Sequence, residues 1–309
     1  DIMIMDETCD MMPDGDEILS YIISQVKRKD QTLIYFTKRK QYFDKGDRKI
    51  FLNNGKIFEN IDDSDESISD EEKRALDPSK IPLHIAIIPD GNRRYAKSHS
   101  LPIESGHIHG TEALITCIAA SKQLGIKTLT VFGLSTENWA RPIDEVIHLL
   151  HIFETYFQKG QKIFQKESIR FRTIGNTSTL PNTLKKIIKD TEEMTKENKD
   201  FEIVLAINYG GRDELCRAVQ KISHDVQTLK LDPHEISEAT ISAYLDTHNI
   251  RDPDLLIRTS GEKRISNFLL WQTSYTEVYT EDVPWPEFTP QHLLQAIVDY
   301  QNRNRRKGF

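Results

Sequence analysis

The chain has 309 residues, of which 38% are hydrophobic and 29% are charged, a balance typical of a globular protein. Its formal net charge of −7 is carried mostly by residues 1–80, which hold 19 acidic and 13 basic side chains. The remaining residues are close to neutral, so the sequence offers no broad basic surface for nucleic acid, and no nucleic-acid partner is expected.

The three cysteines, Cys9, Cys117 and Cys216, lie far apart and form no C-x-x-C pair. This spacing indicates neither a disulfide framework nor a zinc site, and it fits a reducing cytoplasm. No apolar run approaches the roughly 18 residues that span a bilayer. The acidic, Met-rich residues 1–16 lack the basic segment of a secretory signal. We therefore expect a cytoplasmic protein with at most peripheral membrane association.

Residues 1–80 are predicted to form a small acidic N-terminal extension. Residues 16–28 have apolar positions at helical spacing, which predicts a short helix. Residues 48–58 predict a β-hairpin around Asn54-Gly55, since this pair favours a tight turn. From Glu59 to Glu72 there are eight acidic residues and no basic one, which indicates a solvated linker.

From residue 81 to 309 the apolar pattern alternates between strands and helices. Strands are predicted at 83–89, 127–134, 169–175, 201–208 and 254–260. Helices are predicted at 104–124, 144–166, 181–198, 212–228, 236–247 and 289–305. Continuous apolar strands that alternate with helices predict the α/β class, with a mostly parallel central sheet flanked by helices. Ligands of such sheets bind at the carboxyl ends of the strands.

The first polar cluster, residues 89–95, follows the first predicted strand. Asp90 supplies a hard oxygen ligand, Gly91 permits close backbone approach, and Arg94 offers a planar fork to phosphate. An Asp-Gly turn with surface arginines explains the same segment without a ligand.

Two weaker clusters lie further along the chain. His107 lies in Gly106–Gly110, where it can donate to a phosphate oxygen beside the free N–H groups of a helix start. A pair of partly exposed histidines without a function explains the same segment. Ser135, Asn138 and Arg141 follow the second buried strand. Ser or Thr followed by Glu also describes a plain helix cap, and Trp139 fits a packing residue better than a binding platform.

The fourth cluster, residues 258–268, places three cations, three hydroxyl groups and a glycine after a buried strand. This composition favours a second anion site. Glu277 follows shortly and is expected to complete a Mg²⁺ site with Asp90. Two anion sites and one metal site indicate an enzyme that joins two phosphorylated substrates. The absence of GxxxxGK[ST] and of G-x-G-x-x-G disfavours nucleotide hydrolysis and dinucleotide cofactors.

Five collinear motifs then resemble those of the cis-prenyltransferases, the undecaprenyl diphosphate synthase or isoprenyl transferase group. The motifs are HIAIIPDGNRRYAK, GHIHG, FGLSTENWARP, NYGGRDEL and LLIRTSGEKRISNFLLWQTSYTEVY. The resemblance runs from about residue 83 to 309 and implies a Mg²⁺-dependent transferase. That enzyme condenses isopentenyl diphosphate with an allylic prenyl diphosphate, such as farnesyl diphosphate, in cis configuration. A hydrocarbon product also implies an apolar tunnel, expected along residues 110–124 and 144–160.

The resemblance further implies a role for each matching residue. Asp90 and Asn138 are catalytic, Asp90 as the Mg²⁺ ligand and Asn138 as the proton acceptor, and Glu277 is the second carboxylate near the metal. Isopentenyl diphosphate is expected at Arg258, Arg264 and Ser266, with Ile265 between them. The remaining substrate-binding residues surround the allylic diphosphate and the reacting centre: Gly91, Asn92, Arg93, Arg94, Tyr95, His107, Ser135, Thr136, Glu137, Trp139 and Arg141.

The sequence departs from the family pattern at Ile103, where arginine is common, and at Lys263, where a metal-proximal histidine is common. Residues 92–95 read Asn-Arg-Arg-Tyr, where the bacterial form has Asn-Gly-Arg-Trp. The family also implies a homodimer, with the closing residues 306–308 reaching a partner's site. One rival interpretation is a non-catalytic regulatory subunit of a heteromeric cis-prenyltransferase. A trans-prenyltransferase is disfavoured, because its acidic motif is matched only by residues 62–66 in the polar linker.

Overall fold

The computed structural model of the chain describes residues 2–5, 32–35, 50–53, 56–59 and 68–304. The chain divides into two compact units, Asp1–Asp65 and Glu66–Phe309. In the first unit, β1 (Ile2–Met5) pairs in parallel with β2 (Thr32–Tyr35). There β3 (Ile50–Asn53) pairs antiparallel with β4 (Lys56–Glu59), as expected for the predicted hairpin. The turn at 54–55, the predicted helix 16–28 and the acidic residues 62–66 lie outside the described residues.

The second unit is built on a six-stranded sheet in which every neighbouring pair is parallel. The strand order is β10-β9-β5-β6-β8-β7. The strands are β5 (His84–Ile88), β6 (Thr128–Ser135), β7 (Ile169–Ile174), β8 (Phe201–Tyr209), β9 (Leu255–Arg258) and β10 (Glu277–Thr280). Every residue of β5 and β9 is buried, which explains why these strands are continuous apolar runs rather than alternating ones.

Eight α-helices accompany the sheet within residues 68–304. They are α1 (Asp70–Ala75), α2 (Asn92–Ser98), α3 (Ile103–Gln123), α4 (Ile143–Lys166), α5 (Asn182–Thr195), α6 (Gly211–Gln227), α7 (Glu238–Tyr244) and α8 (Pro290–Asn302). The predicted α/β class with a parallel sheet and flanking helices is confirmed. None of the helices within the described residues is both long enough and apolar enough to cross a membrane.

The two faces of the sheet bury alternate residues of each strand, as the pleat requires. On β5, Ile85 and Ile87 join the larger core, which also contains buried side chains from α3, α4, α5 and α8. Ala86 and Ile88 face the smaller core on the opposite side, which contains Phe268. Both faces are therefore covered, and the polar clusters are left to the strand ends.

The second unit begins earlier than the predicted boundary near residue 80. α1 forms at the end of the stretch predicted as a solvated linker, because Ser69 and Glu72 close a capping box at its start. Ile68 and Leu76, on either side of α1, are buried in the larger core. Two apolar anchors and a good cap thus order residues 68–76. The strand β10 was also missed, since its residues are partly exposed and form no continuous apolar run.

Candidate active site

The carboxyl ends of β5, β6 and β9 meet because β5 lies between the other two strands. Ile88, the last residue of β5, pairs with Arg258, the last residue of β9. The loops that follow these strands carry the first and fourth polar clusters, while the third cluster follows β6. Sheet topology therefore brings three segments together that are far apart in sequence.

Several hydrogen bonds fix the backbone of Asp90. Its N–H donates to Thr259 Oγ1 at 2.8 Å, and its carbonyl oxygen accepts from Ser260 Oγ at 3.0 Å. The backbone N–H of Trp285 donates to the same carbonyl oxygen at 2.9 Å. With both backbone groups held, Asp90 is fixed against the segments that follow β9 and β10.

Gly91 is required by this arrangement. Its φ of +105° lies in the region that favours glycine. A Cβ at this position would lie 2.1 Å from Ser260 Oγ and 2.8 Å from Pro284 Cβ. Any side chain here would push the Asp90 loop away from the residues that follow β9.

The carboxylate of Asp90 pairs with the guanidinium of Arg258, with Nη2 and Oδ2 2.7 Å apart. The Arg258 side chain is 5% exposed, whereas that of Asp90 is 32% exposed and reaches the solvent side of the site. Arg258 Nη1 also donates to Ser266 Oγ at 2.7 Å and to the carbonyl oxygen of Arg264. One buried guanidinium thus joins Asp90 to the 258–268 loop.

A cavity of about 840 Å³ opens beside this ion pair. Its walls come from all four predicted clusters. The lining residues are Ile88, Pro89, Asp90, Gly91, Asn92, Arg93, Arg94, His107, Phe132, Gly133, Ser135, Glu137, Asn138, Arg141, Leu149, Arg258, Arg264, Ser266 and Asn267.

We call Arg93, Arg94, His107 and Arg141 the first basic group and Arg258, Arg264 and Ser266 the second basic group. Members of both groups line the cavity. Glu262 connects them, because its carboxylate accepts from Arg94 Nη2 at 3.0 Å and also pairs with Arg264. Both groups therefore share one cavity, with the Asp90 carboxylate in the wall of the same cavity.

His107 is placed differently from the expectation. It is the fifth residue of α3 and not part of the helix start, so the free N–H groups of the first turn lie before it. Burial, together with the nearby Arg141 guanidinium, lowers the pKa of His107 to about 4. The imidazole is therefore neutral near pH 7. Its buried Nε2 atom has no hydrogen-bond partner among the described residues.

The Ser135–Asn138 segment is both a cap and part of the cavity wall. The side-chain oxygen of Asn138 accepts from the backbone N–H of Ser135 at 3.0 Å, which closes a capping box on the 3₁₀ helix Thr136–Ala140. Asn267 Nδ2 donates to Glu137 Oε1 at 2.8 Å and ties this segment to the 258–268 loop.

Some residues predicted to bind substrate lie outside the cavity lining. Tyr95 contacts the rings of His99 and His109, and Trp139 Nε1 donates to Asn208 Oδ1 at 2.7 Å. The packing interpretation of Trp139 fits this contact. Ile265 packs against the smaller core. The residues absent from the lining are Tyr95, Thr136, Trp139 and Ile265.

The structure does not bring Glu277 to Asp90. Glu277 begins β10 and pairs with Leu255, whereas Arg258, three residues further along β9, is level with the cavity. This offset is about 10 Å along the strand. Glu277 instead pairs with Arg303 at 2.9 Å. The predicted two-carboxylate metal site within one chain is therefore not formed, and the parallel register is the reason.

Sequence reasoning missed several residues of the site. Phe132, Gly133 and Leu149 form apolar wall, and only the buried strand and the amphipathic helix pattern hinted at them. Leu149 lies in the stretch 144–160 that was expected to line a tunnel. Glu145 lies behind the first basic group, and an acidic residue in the first turn of a helix is too common to attract notice.

The cavity offers one clear oxygen ligand for Mg²⁺. The Asp90 carboxylate lines the cavity, and the described residues contain no group of three or more His, Cys, Asp or Glu side chains that would form a closed metal site. One carboxylate fits Mg²⁺ when phosphate oxygens and water complete the shell, which is how this ion is commonly held at phosphate sites.

The sequence is similar to those of known proteins. A sequence profile described as "Putative undecaprenyl diphosphate synthase" matches residues 88–308. An isoprenyl transferase of Prochlorococcus marinus is 48% identical over 233 residues, which cover 75% of this chain and 86% of that protein. One of Chlamydia abortus is 46% identical over 238 residues, with 76% and 95% covered.

Two solved structures are also similar. Lavandulyl diphosphate synthase from Lavandula x intermedia, crystallised in complex with dimethylallyl diphosphate, has a TM-score of 0.72 and 38% identity. The match covers 75% of this chain and 100% of that one. A probable undecaprenyl diphosphate synthase from Campylobacter jejuni has a TM-score of 0.62 and 32% identity, covering 74% and 99%.

Proposed function

Because the chain belongs to the undecaprenyl diphosphate synthase family of prenyltransferases, we propose that it condenses isopentenyl diphosphate with an allylic prenyl diphosphate in cis configuration to make a polyprenyl diphosphate. The observation that carries the proposal is the shared cavity. The first and second basic groups line it together, and the Asp90 carboxylate lies in the same wall.

The first basic group binds the allylic diphosphate. As the bond between the allylic carbon and the diphosphate oxygen breaks, negative charge builds on the leaving group, and the guanidinium groups of Arg93, Arg94 and Arg141 stabilise it. Neutral His107 has an unpartnered Nε2 atom, which can donate to a phosphate oxygen of this ligand in the tautomer that carries the proton on Nε2.

The second basic group binds isopentenyl diphosphate beside the first ligand. Its double bond attacks the allylic carbon and forms the new carbon–carbon bond, and a proton then leaves to set the new cis double bond. Asn138 keeps the proton-accepting role that the resemblance implies. Holding both substrates in one cavity supplies proximity, which contributes strongly to such reactions.

Asp90 would hold Mg²⁺ together with diphosphate oxygens and water. When bound, this ion supplies positive charge that stabilises the departing diphosphate. The backbone bonds to Thr259, Ser260 and Trp285 keep the Asp90 carboxylate at the cavity wall. Apolar walls at Phe132, Gly133 and Leu149 suit the growing hydrocarbon chain.

The direct test is incorporation of labelled isopentenyl diphosphate with Mg²⁺ and allylic primers of several lengths. Asp90→Asn is expected to lower kcat at least about 100-fold, because it removes the metal-binding charge. Asp200→Asn, an exposed site between α5 and β8, is the matched control and is expected to retain full activity. Full activity of Asp90→Asn would contradict the assignment.

A non-catalytic regulatory subunit is the alternative, and it predicts that the chain alone is inactive with every primer. A homodimer and peripheral association with membranes are further parts of the proposal that come from the resemblance. Sedimentation of the purified chain tests the first. Dependence of long-chain synthesis on added lipid or detergent tests the second, and its absence would count against membrane association.

A further inference from the structure

A buried carboxylate lies behind the first basic group. Glu145 is the third residue of α4, and its side chain is 8% exposed. Its Oε1 accepts from Arg141 Nη1 at 2.9 Å, and its Oε2 lies 3.9 Å from Arg93 Nη1. His107 Nε2 lies 3.8 Å from Oε1. The three basic residues line the cavity, but Glu145 does not.

The contacts divide into two kinds. Arg141 and Arg93 are permanently charged, so the Glu145 carboxylate offsets the repulsion between two guanidinium groups that face one ligand. His107 is neutral because burial lowers its pKa to about 4. At 3.8 Å its Nε2 atom is too far from Glu145 for a hydrogen bond, so this nitrogen stays available to a ligand.

We propose that Glu145 is a positioning residue for the allylic diphosphate, which it does not contact itself. It holds the Arg141 guanidinium at the cavity through a hydrogen bond, and its charge attracts the Arg93 guanidinium 3.9 Å away. It leaves His107 Nε2 unbonded. The inference rests on the proposed function, because it assigns the first basic group to the allylic substrate.

Two simpler roles make different predictions. An acidic residue in the first turn stabilises a helix through the dipole, and Asp144, exposed in the same turn, does so as well. If the carboxylate only weakened the positive field, it would lower the affinity of the cavity for diphosphate. Its removal would then strengthen diphosphate binding. A positioning residue differs from both, since its loss harms one substrate and leaves the other unaffected.

The experiment compares Glu145→Gln and Glu145→Asp with the control Asp144→Asn. Glu145→Gln is expected to lower kcat/KM for the allylic substrate by about 10- to 100-fold, because small misplacements of binding groups are costly. The KM for isopentenyl diphosphate is expected to change by less than about 3-fold, since the second basic group is untouched. Glu145→Asp keeps the charge but shortens the reach, so an intermediate loss is expected. Asp144→Asn is expected to match the parent.

Binding of inorganic diphosphate by calorimetry and the thermal midpoint complete the test. Weaker binding by Glu145→Gln at an unchanged thermal midpoint supports positioning. Unchanged kinetics, tighter diphosphate binding, or equal losses for both substrates that follow a lower thermal midpoint would overturn it. If Glu145→Gln does not fold, Glu145→Asp decides by the same readouts. A parent chain that transfers no prenyl group would refute the proposed function, and the diphosphate-binding comparison would still judge Glu145.

Discussion

Among the residues of the site, Arg258 makes several hydrogen bonds at once. Its guanidinium holds the Asp90 carboxylate, Ser266 Oγ and the carbonyl oxygen of Arg264 at the same time. A planar fork with several fixed donors makes such contacts, whereas a lysine ammonium is a point charge on a flexible stem. Arg258 therefore holds the loop in place, and its charge is proposed to bind isopentenyl diphosphate as well.

Arg258→Lys tests this double role. We expect KM for isopentenyl diphosphate to rise at least about 10-fold, because the loop loses its fixed geometry although the charge remains. Steady-state kinetics with the isopentenyl diphosphate concentration varied measure the effect. Arg251→Lys, an exposed ion pair with Asp254, is the control and is expected to behave as the parent. An unchanged KM for Arg258→Lys would show that charge alone suffices.

His84 makes stability depend on pH. Its buried ring bonds to Thr130 Oγ1 at 2.7 Å, and burial lowers its pKa to about 4. The unfolded chain protonates this histidine near pH 6.5, while the folded chain does so only near pH 4. Its contribution to the free energy of unfolding is thus full above pH 6.5 and is lost progressively as the pH falls towards 4, by roughly 3 kcal/mol.

Urea unfolding of His84→Gln between pH 7 and 4 measures this contribution. The variant is expected to be less stable at pH 7 and to lose less stability on acidification than the parent. His151→Gln, exposed on α4, is the control and should follow the parent curve. Parallel curves for His84→Gln and the parent would show that His84 protonates equally in both states.

Among the helices, the close approach of α2 to α3 determines where two members of the first basic group, Arg93 and Arg94, lie. Gly106 and Gly110 make this close approach possible. A Cβ on Gly106 would lie 2.2 Å from the Asn92 carbonyl oxygen, and a Cβ on Gly110 would lie 2.4 Å from Asn92 Oδ1. The GHIHG motif therefore has a packing reason besides its histidine. α2 carries Arg93 and Arg94, so the crossing of the two helices sets where both guanidiniums point.

Gly106→Ala tests the helix crossing. The clash is with backbone and cannot be relieved by a rotamer change, so we expect a loss of about 1–3 kcal/mol of stability, as for overpacked sites, and weaker allylic binding. Gly160→Ala in α4 would meet only the movable ring of Phe164 at 3.3 Å. That control is expected to keep or slightly raise stability, since alanine favours helices. Equal effects of the two changes, measured by urea unfolding, would contradict the packing role.

Particular elements show how far the sequence predicts this fold. The long apolar strands and amphipathic helices were placed within a few residues, because burial on both faces leaves an unbroken apolar run. β10 and α1 were missed, because the partly exposed residues of β10 form no apolar run and α1 is a six-residue helix in an acidic stretch. In the site, Asp90 and the second basic group were found because their motifs are local. The position of Glu277 and the role of Glu145 depend on register and packing between distant segments, which spacing alone does not specify.

At the scale of the whole second unit, the parallel sheet explains why one cavity holds two basic groups. Placing β5 between β6 and β9 brings three loops to one edge, and the Asp90–Arg258 pair ties two of them together. The same carboxylate is proposed to bind the metal, so ligand binding must share or release the contact with Arg258. Substrate binding and metal binding are therefore expected to be coupled.

Removal of the metal tests this coupling. With EDTA present, prenyl transfer is expected to cease and to return fully when Mg²⁺ is added back, because one carboxylate holds the ion only together with substrate phosphates. Calorimetry is expected to show stronger Mg²⁺ binding when a diphosphate is present than when it is absent. Undiminished turnover in EDTA would refute metal dependence, and equal Mg²⁺ affinity with and without diphosphate would refute the coupling.

The most direct measurement is a crystal structure of the chain with isopentenyl diphosphate, Mg²⁺ and an unreactive thio analogue of an allylic diphosphate. Two diphosphates are expected in the single cavity, one on Arg93, Arg94, His107 and Arg141 and the other on Arg258, Arg264 and Ser266, with the metal ion on Asp90. A diphosphate bound only outside this cavity, or one ligand spread over both basic groups, would contradict the account.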